Sequence, residues 1–289
     1  MSLDAFIPQE VVGAMVLEQF EKKTVAGSLV SRNYEPLLSK GGDSVKIGTL
    51  EAMNGSTYTR NQTVTYGDVD ATSQILTIDQ SVLFSRVIDK VDSHQSAIAL
   101  MPSVVKQASY IIASGVDNYI INTTISGGAS IIGGTGASAL GTNGTEITVY
   151  SSGCLNYLGR LAQRMDEADV PNEERFIIAP PWFTNKLAQQ KVLETYTSSD
   201  DAYANGRVGR CMGFDIRVST IIPNVNVTTS NMIIAGTKSA IEFAGYLVDN
   251  RVGFDMETKV GEGIRMLYVY GAKAVYTNAL ALGYIAQGD

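Results

Sequence analysis

Few side chains in this sequence are suited to chemistry. It has one histidine, His94, and two cysteines, Cys154 and Cys211, among 289 residues. A serine-histidine-carboxylate triad could be built only on His94, and a zinc site with two imidazoles is excluded. His94 stands where a helical pattern begins, a position at which histidine caps the helix or lies at the surface. The cysteines form no motif, and two in a chain this long make no disulfide framework, so each reads as a core thiol. The acidic clusters GDVD at 67–70 and SSDD at 198–201 lack the spacing of a calcium-binding loop and read as solvated turns. The stretch SGGASIIGGTGASALGTNGT, 126–145, is the most glycine-dense part of the chain. It lacks the Gly-Lys-Ser/Thr ending of a phosphate loop and follows a helix rather than a strand, so it reads as a flexible surface loop. A nucleotide-binding enzyme using 128–144 is the alternative that this loop leaves open. Trp182, Phe183, Tyr268 and Tyr270 read as core or interface aromatics. No catalytic constellation, cofactor or metal is expected.

Charge narrows the partners. With 22 basic and 29 acidic residues the formal net charge is −7, which counts against a dedicated nucleic-acid binder, because phosphate affinity comes from clustered Lys and Arg. The opening MSLDAFIPQE has no basic region followed by an apolar run, and no apolar run approaches the roughly 18 residues that span a bilayer. The chain therefore reads as a soluble protein made in a cytoplasm, with no membrane partner.

The elements that would position any site are organised around one helix, at 92–122. Ile98, Met101, Val105, Ala108, Ile112, Val116 and Tyr119 recur at steps of three and four. Ser103, Lys106, Gln107, Ser114, Asp117 and Asn118 fall on the opposite side, which predicts a solvated face. Pro102 is either the first residue of the main segment or a kink after a short leading turn. From Pro102 to Asn122 the helix is about 30 Å long at roughly 1.5 Å per residue.

Before it, Val11, Val12, Met15, Val16 and Phe20 predict a short N-terminal helix. VKIGTL, 45–50, predicts a strand, and Leu76, Ile78, Val82, Phe84 and Ile88 alternate with polar residues closely enough for one long return strand. Between these roots, 51–73 is rich in Thr, Ser, Asn and Tyr and cannot bury itself. The result is a protruding hairpin, either solvated or lying as an arm on a neighbouring subunit; in the second case Tyr58, Arg60, Tyr66 and Asp68 are contact candidates. After it the chain alternates: a helix at 151–169, a buried strand RFIIAP, a helix from Pro181, a polar loop at 199–213, and strands FDIRVS and MIIA. Two long alternating runs, 248–259 and 264–277, close the chain with the tail NALALGYIA. This is an α+β pattern, not a doubly wound sheet, and the closing strands are expected to pack on the long helix.

That order of parts carries a resemblance. The GGDSVKIG entry into a polar hairpin, the return LTIDQ…FSRVIDKVD, the helix from SHQSA to DNYI, and the closing VGFDMETK…GIRMLYVYGAKAVYTNALALG resemble the major capsid protein of tailed bacteriophages, the Hong Kong 97-type fold. The resemblance implies an N-terminal arm and helix at 1–44 and an extended loop at 45–90. It implies a peripheral domain with the spine helix at 91–127 and 245–289, and an axial domain at 128–244. It further implies a non-enzymatic virion protein, made in the bacterial cytoplasm, that assembles with itself into hexamers and pentamers of an icosahedral shell. Such a shell encloses double-stranded DNA without sequence-specific binding, and its partners are a separate scaffolding protein, a portal and a possible decoration protein. An encapsulin-like compartment, with the same fold, is the alternative. Some members cross-link subunits through a lysine on the extended loop; here no lysine lies between Lys46 and Lys90, so no cross-link by that route is expected. In that family the loop corresponding to 199–213 faces a symmetry axis. Asp200 and Asp201 on one edge would then pair head to tail with Arg207 and Arg210 of the next copy.

Overall fold

The computed structural model describes residues 24–38, 44–50, 57–63, 68, 71–90, 100–134, 136–150, 153–189, 207–223, 230–255 and 260–288. The N-terminal helix expected around Val11–Phe20 and His94 lie outside them. In chain order the strands are β1 (Ser44–Leu50), β2 (Ala71–Thr77), β3 (Gln80–Asp89), β4 (Ile131–Ile132), β5 (Ile147–Val149), β6 (Arg175–Ala179), β7 (Arg207–Cys211), β8 (Phe214–Val218), β9 (Ser230–Thr237), β10 (Ile241–Asp255), β11 (Gly261–Ala274) and β12 (Leu280–Gln287). The helices are α1 (Glu35–Leu38), α2 (Leu100–Thr123), α3 (Cys154–Glu167) and α4 (Pro181–Gln189).

Three sheets result. β1 and β2 form an antiparallel ribbon in full register from Ser44↔Thr77 to Leu50↔Ala71. A three-stranded antiparallel sheet runs in the order β10-β11-β3. A seven-stranded mixed sheet runs β4-β12-β9-β6-β8-β7, with β5 also paired to β12. The expected single return strand at 76–88 is in fact two strands in different sheets, broken at Ile78–Asp79: β2 stays with β1, whereas β3 pairs with β11 from Tyr270↔Gln80 to Gly261↔Asp89. The alternation itself persists across the break, with Leu76, Ile78, Phe84 and Ile88 all buried, because both strands present one face inward. The closing segment also divides. β10 and β11 pair with one another, but β12 joins the seven-stranded sheet beside β9.

The core sits where α2 meets both sheets. Val116, Ile120 and Ile121 of α2 pack with Phe243, Tyr270 and Ala272 of the three-stranded sheet, and with Phe176, Ile178, Ile234 and Leu282 of the seven-stranded one. Ala26, Leu29 and Val30 close the same cluster from the N-terminal side. The opposite face of the seven-stranded sheet is covered by α3 and α4, through Leu158, Leu161, Met165, Phe183 and Leu187. Being covered on both faces, β6 and β9 read as almost unbroken apolar runs, as such strands do. Cys154 and Cys211 lie in this second cluster as core thiols. The first half of α2 packs on β3 and β11 through Ala108, Phe84, Ile264 and Met266. The approach is close: a Cβ on Gly115 would lie 3.2 Å from a methyl of Val82.

Two polar stretches are ordered where loops were expected. Within 126–145, Ile131 and Leu140 are buried, β4 and a tight bridge between Thr142 and Thr145 form, and Gly141 takes φ +79° where a Cβ would meet the Tyr284 carbonyl oxygen at 2.4 Å. Gly141 therefore serves close packing against β12. Likewise 207–211 of the expected 199–213 loop is β7, the outer strand of the sheet.

Burial along α2 grades the cost of truncation. Ile121 is 2 % exposed and lies in the central cluster, whereas Ile112 only flanks a cluster and is half-buried. Ile121→Ala is expected to cost roughly 2–5 kcal/mol and Ile112→Ala about half as much, as read by urea unfolding of the isolated chain; equal costs would place the helix face incorrectly.

Candidate inter-subunit surfaces

Neither buried thiol nor buried phenol is set up to react. Burial pushes the Cys154 thiol above its ordinary range, so the thiolate that attacks or ligates is disfavoured. Tyr157 is enclosed between α3 and α4, its pKa is driven far up by burial, and its hydroxyl donates to the Leu140 carbonyl at 2.9 Å. Among the described residues no three His, Cys, Asp or Glu side chains group to hold a metal, and no helix is long and apolar enough to cross a membrane.

Surfaces are more informative than cavities. The β1–β2 ribbon is rooted by Ile47 and Leu76, which pack with Ile78, Ala244 and Val275. Beyond that root, no buried cluster forms among the described residues. Residues 57–63 are exposed throughout, folded back by mutual bonds between Thr59 and Gln62: the Gln62 amide donates to the Thr59 carbonyl at 3.0 Å, and the Thr59 amide to the Gln62 side-chain oxygen at 3.1 Å. Tyr58, 66 % exposed, Arg60 and Asp68 all lie on the surface; Tyr66 lies outside the described residues. Leu83 and Val87 on β3, and Ile75 on β2, are exposed as well, so the outward side of this region carries apolar side chains that no other described residue covers.

The predicted axial residues are only partly placed. Arg207 and Arg210 are on β7, opposite Arg217 and Asp215 of β8, and Arg210 is exposed. Asp200 and Asp201 lie outside the described residues, so the pairing of the two signs is not brought together here.

Two residues that organise these surfaces were not found from the sequence. Asp117, expected on the solvated side of α2, is 2 % exposed. Its carboxylate accepts the backbone N–H groups of Val25, Ala26 at 3.1 Å and Gly27 at 2.9 Å, which pins the N-terminal segment across the helix. The available signal was that Asp117 is the one acidic residue in α2. Arg175, equally buried, ties the turn after α3 to β6. It donates to the carbonyls of Pro171, at 2.9 Å, and Val170, and pairs with Asp166 at 2.8 Å. Its signal was a lone charge in an otherwise apolar strand.

No protein-family model matches this sequence, and no curated protein is similar to it. Solved structures are. A chain of Mycobacterium phage Che8 has TM-score 0.74 at 22 % identity, over 97 % of this chain and 98 % of its own. The capsid of cyanophage P-SCSP1u gives 0.71 at 16 %, over 99 % and 94 %. The mature capsid of bacteriophage PhiM1 gives 0.64 at 13 %, over 98 % and 93 %. The fold is therefore the phage-capsid fold of the expected Hong Kong 97 type, along essentially the whole chain.

Replacing Asp117 by Ala leaves three amide donors without their carboxylate. The expected loss is roughly 2–4 kcal/mol, with hydrogen-exchange protection lost at Val25–Gly27; Asp117→Asn, which turns donors toward donors in one of its two orientations and removes the charge in both, is expected to recover less than half. Unchanged protection in both variants would overturn the anchor. Tyr157 gives a pH dependence. Its folded pKa lies above the ordinary value of 10.0, so stability is complete below pH 10 and falls as pH rises, since only the unfolded chain ionises there. Tyr157→Phe should make the alkaline decline shallower while costing only about 1 kcal/mol near neutrality, because the Leu140 carbonyl retains the Tyr284 amide at 2.9 Å.

Proposed function

We propose that this chain is a major capsid protein of a tailed bacteriophage, a non-enzymatic subunit that assembles with itself into hexamers and pentamers of an icosahedral head. The observation that carries the reading is the likeness over 99 % of this chain and 94 % of its counterpart to a phage capsid structure at TM-score 0.71. A ribbon with no core beyond its root supports it, because such a ribbon is marginal alone and gains order by lying on another copy. On this reading Tyr58, Arg60, Tyr66 and Asp68 are arm contacts. Asp200, Asp201, Arg207 and Arg210 meet around the capsomer axis; as exposed pairs they set register and partner orientation more than affinity.

The proposed division is an N-terminal arm at 1–44, an extended loop at 45–90, a peripheral domain at 91–127 and 245–289, and an axial domain at 128–244. β12 completes the sheet of the axial domain, so the chain crosses back at its end. The shell is made in the bacterial cytoplasm and encloses double-stranded DNA. Its net charge of −7 suits confinement by geometry with ready release rather than tight binding. Scaffolding, portal and decoration proteins are separate chains.

Electron microscopy of the expressed protein is the direct test, with closed shells expected. Replacing 57–70 by a short Gly/Ser turn keeps the Leu50↔Ala71 pair and should leave a folded subunit that builds no closed shells. Normal shells from that variant would remove the arm from the assembly, and shells containing enzyme instead of DNA would make the protein a compartment.

A further inference from the structure

A second surface of opposite character lies beside β7. A cleft of about 320 Å³ opens between the N-terminal segment, the β7–β8 edge and the turn joining β9 to β10. Arg210, Arg217, Lys238, Asp215 and Glu174 line it, with the stem of Arg175 at its base. Arg175 directs its guanidinium away, to Val170, Pro171 and Asp166, and Arg217 holds Asp215 at 3.2 Å. Arg210 and Lys238 are exposed. Three cations thus stand against two carboxylates in a pocket the size of a side chain.

We propose that this cleft receives the acidic turn 166–174 of a second copy of the chain. A nucleic-acid duplex presents a charge about every 1.7 Å and needs an unbroken cationic track; carboxylates inside the cleft interrupt one, yet leave room for a single side-chain carboxylate. The turn has matching chemistry. DEADVPNEE carries five acidic residues and no basic one, and Glu167, Asp169 and Glu173 are exposed. It is also held in advance: Arg175 fixes its carbonyls, and Asp169 takes φ +55°, so little conformational freedom is lost on contact. Glu174 ends the turn and also borders the cleft, but Glu167, Asp169 and Glu173 do not line it, so the contact joins different faces, orients one copy on the next and rejects the like-charged alternative. The inference rests on the reading of this chain as self-assembling and names one contact within it.

The test is a charge exchange in the full chain: Arg210→Glu with Lys238→Glu, Glu167→Lys with Glu173→Lys, and all four together. Assembly is followed by sedimentation and electron microscopy at low salt, and folding by melting of the subunit. Each pair alone is expected to reduce the assembled fraction by about tenfold, and the fourfold variant to restore most of it. If a reversed pair lowers the melting temperature, Arg210→Gln with Lys238→Gln replaces it, and reduced assembly together with a flatter salt dependence is expected. Single reversals that assemble like the unmodified chain, or a fourfold variant that stays as poor as either pair, overturn the contact. Loss of duplex DNA retention with assembly intact would assign the cleft to nucleic acid and also overturn it. Oligomers that never close into shells, yet vanish and return with the exchange, would keep the contact and sink the shell.

Discussion

The last two turns of α2 are where the parts of this molecule are joined. Val116, Ile120 and Ile121 are nearly inaccessible and belong to one apolar cluster with side chains of both larger sheets, and burial of such residues contributes roughly 1.5–3 kcal/mol apiece. The two sheets share no strand and no ladder hydrogen bond, so their relative placement depends on this shared apolar seam. Asp117, adjacent in sequence, adds directionality that apolar contact lacks. Its two oxygens hold three consecutive amides of the N-terminal segment, and Ser31 continues that segment along β10. Removing water from a carboxylate is costly, and only several convergent donors offset it; the geometry supplies them.

Around that seam the sheets are treated differently. The seven-stranded sheet is sealed by the seam on one face and by α3 and α4 on the other, with a few buried polar groups such as Arg175 fully engaged. The three-stranded sheet is covered by α2 on one face and, at one end of the other, by the root of the β1–β2 ribbon against Ala244. The rest of that face shows Leu83 and Val87, and among the described residues the ribbon has no buried cluster past its root. A subunit whose sealed body carries an unsupported arm and open apolar strands has surface that calls for another protein.

What the sequence determined was local periodicity. The apolar stripe of α2, the largely apolar β6 and β9, the alternation through Leu76, Ile78, Phe84 and Ile88, and the buried thiols follow from spacing and residue type, because burial on one face repeats every 3.6 or two residues wherever that face lies. The order of these elements was enough to indicate the fold. Tertiary structure alone decided the partners. The break at Ile78–Asp79 separates two strands whose alternation is continuous, and β12 leaves its neighbours β10 and β11 for β9, far earlier in the chain; neither has a local signature. The glycine-rich stretch around Gly141 looks flexible by composition, yet Ile131 and Leu140 are buried and Gly141 packs against β12. Asp117 reads as solvated by its place on the helix, since the amides that bury it come from 90 residues or more away in the chain, and hydrogen-bond partners at that separation are set by how the elements close on one another.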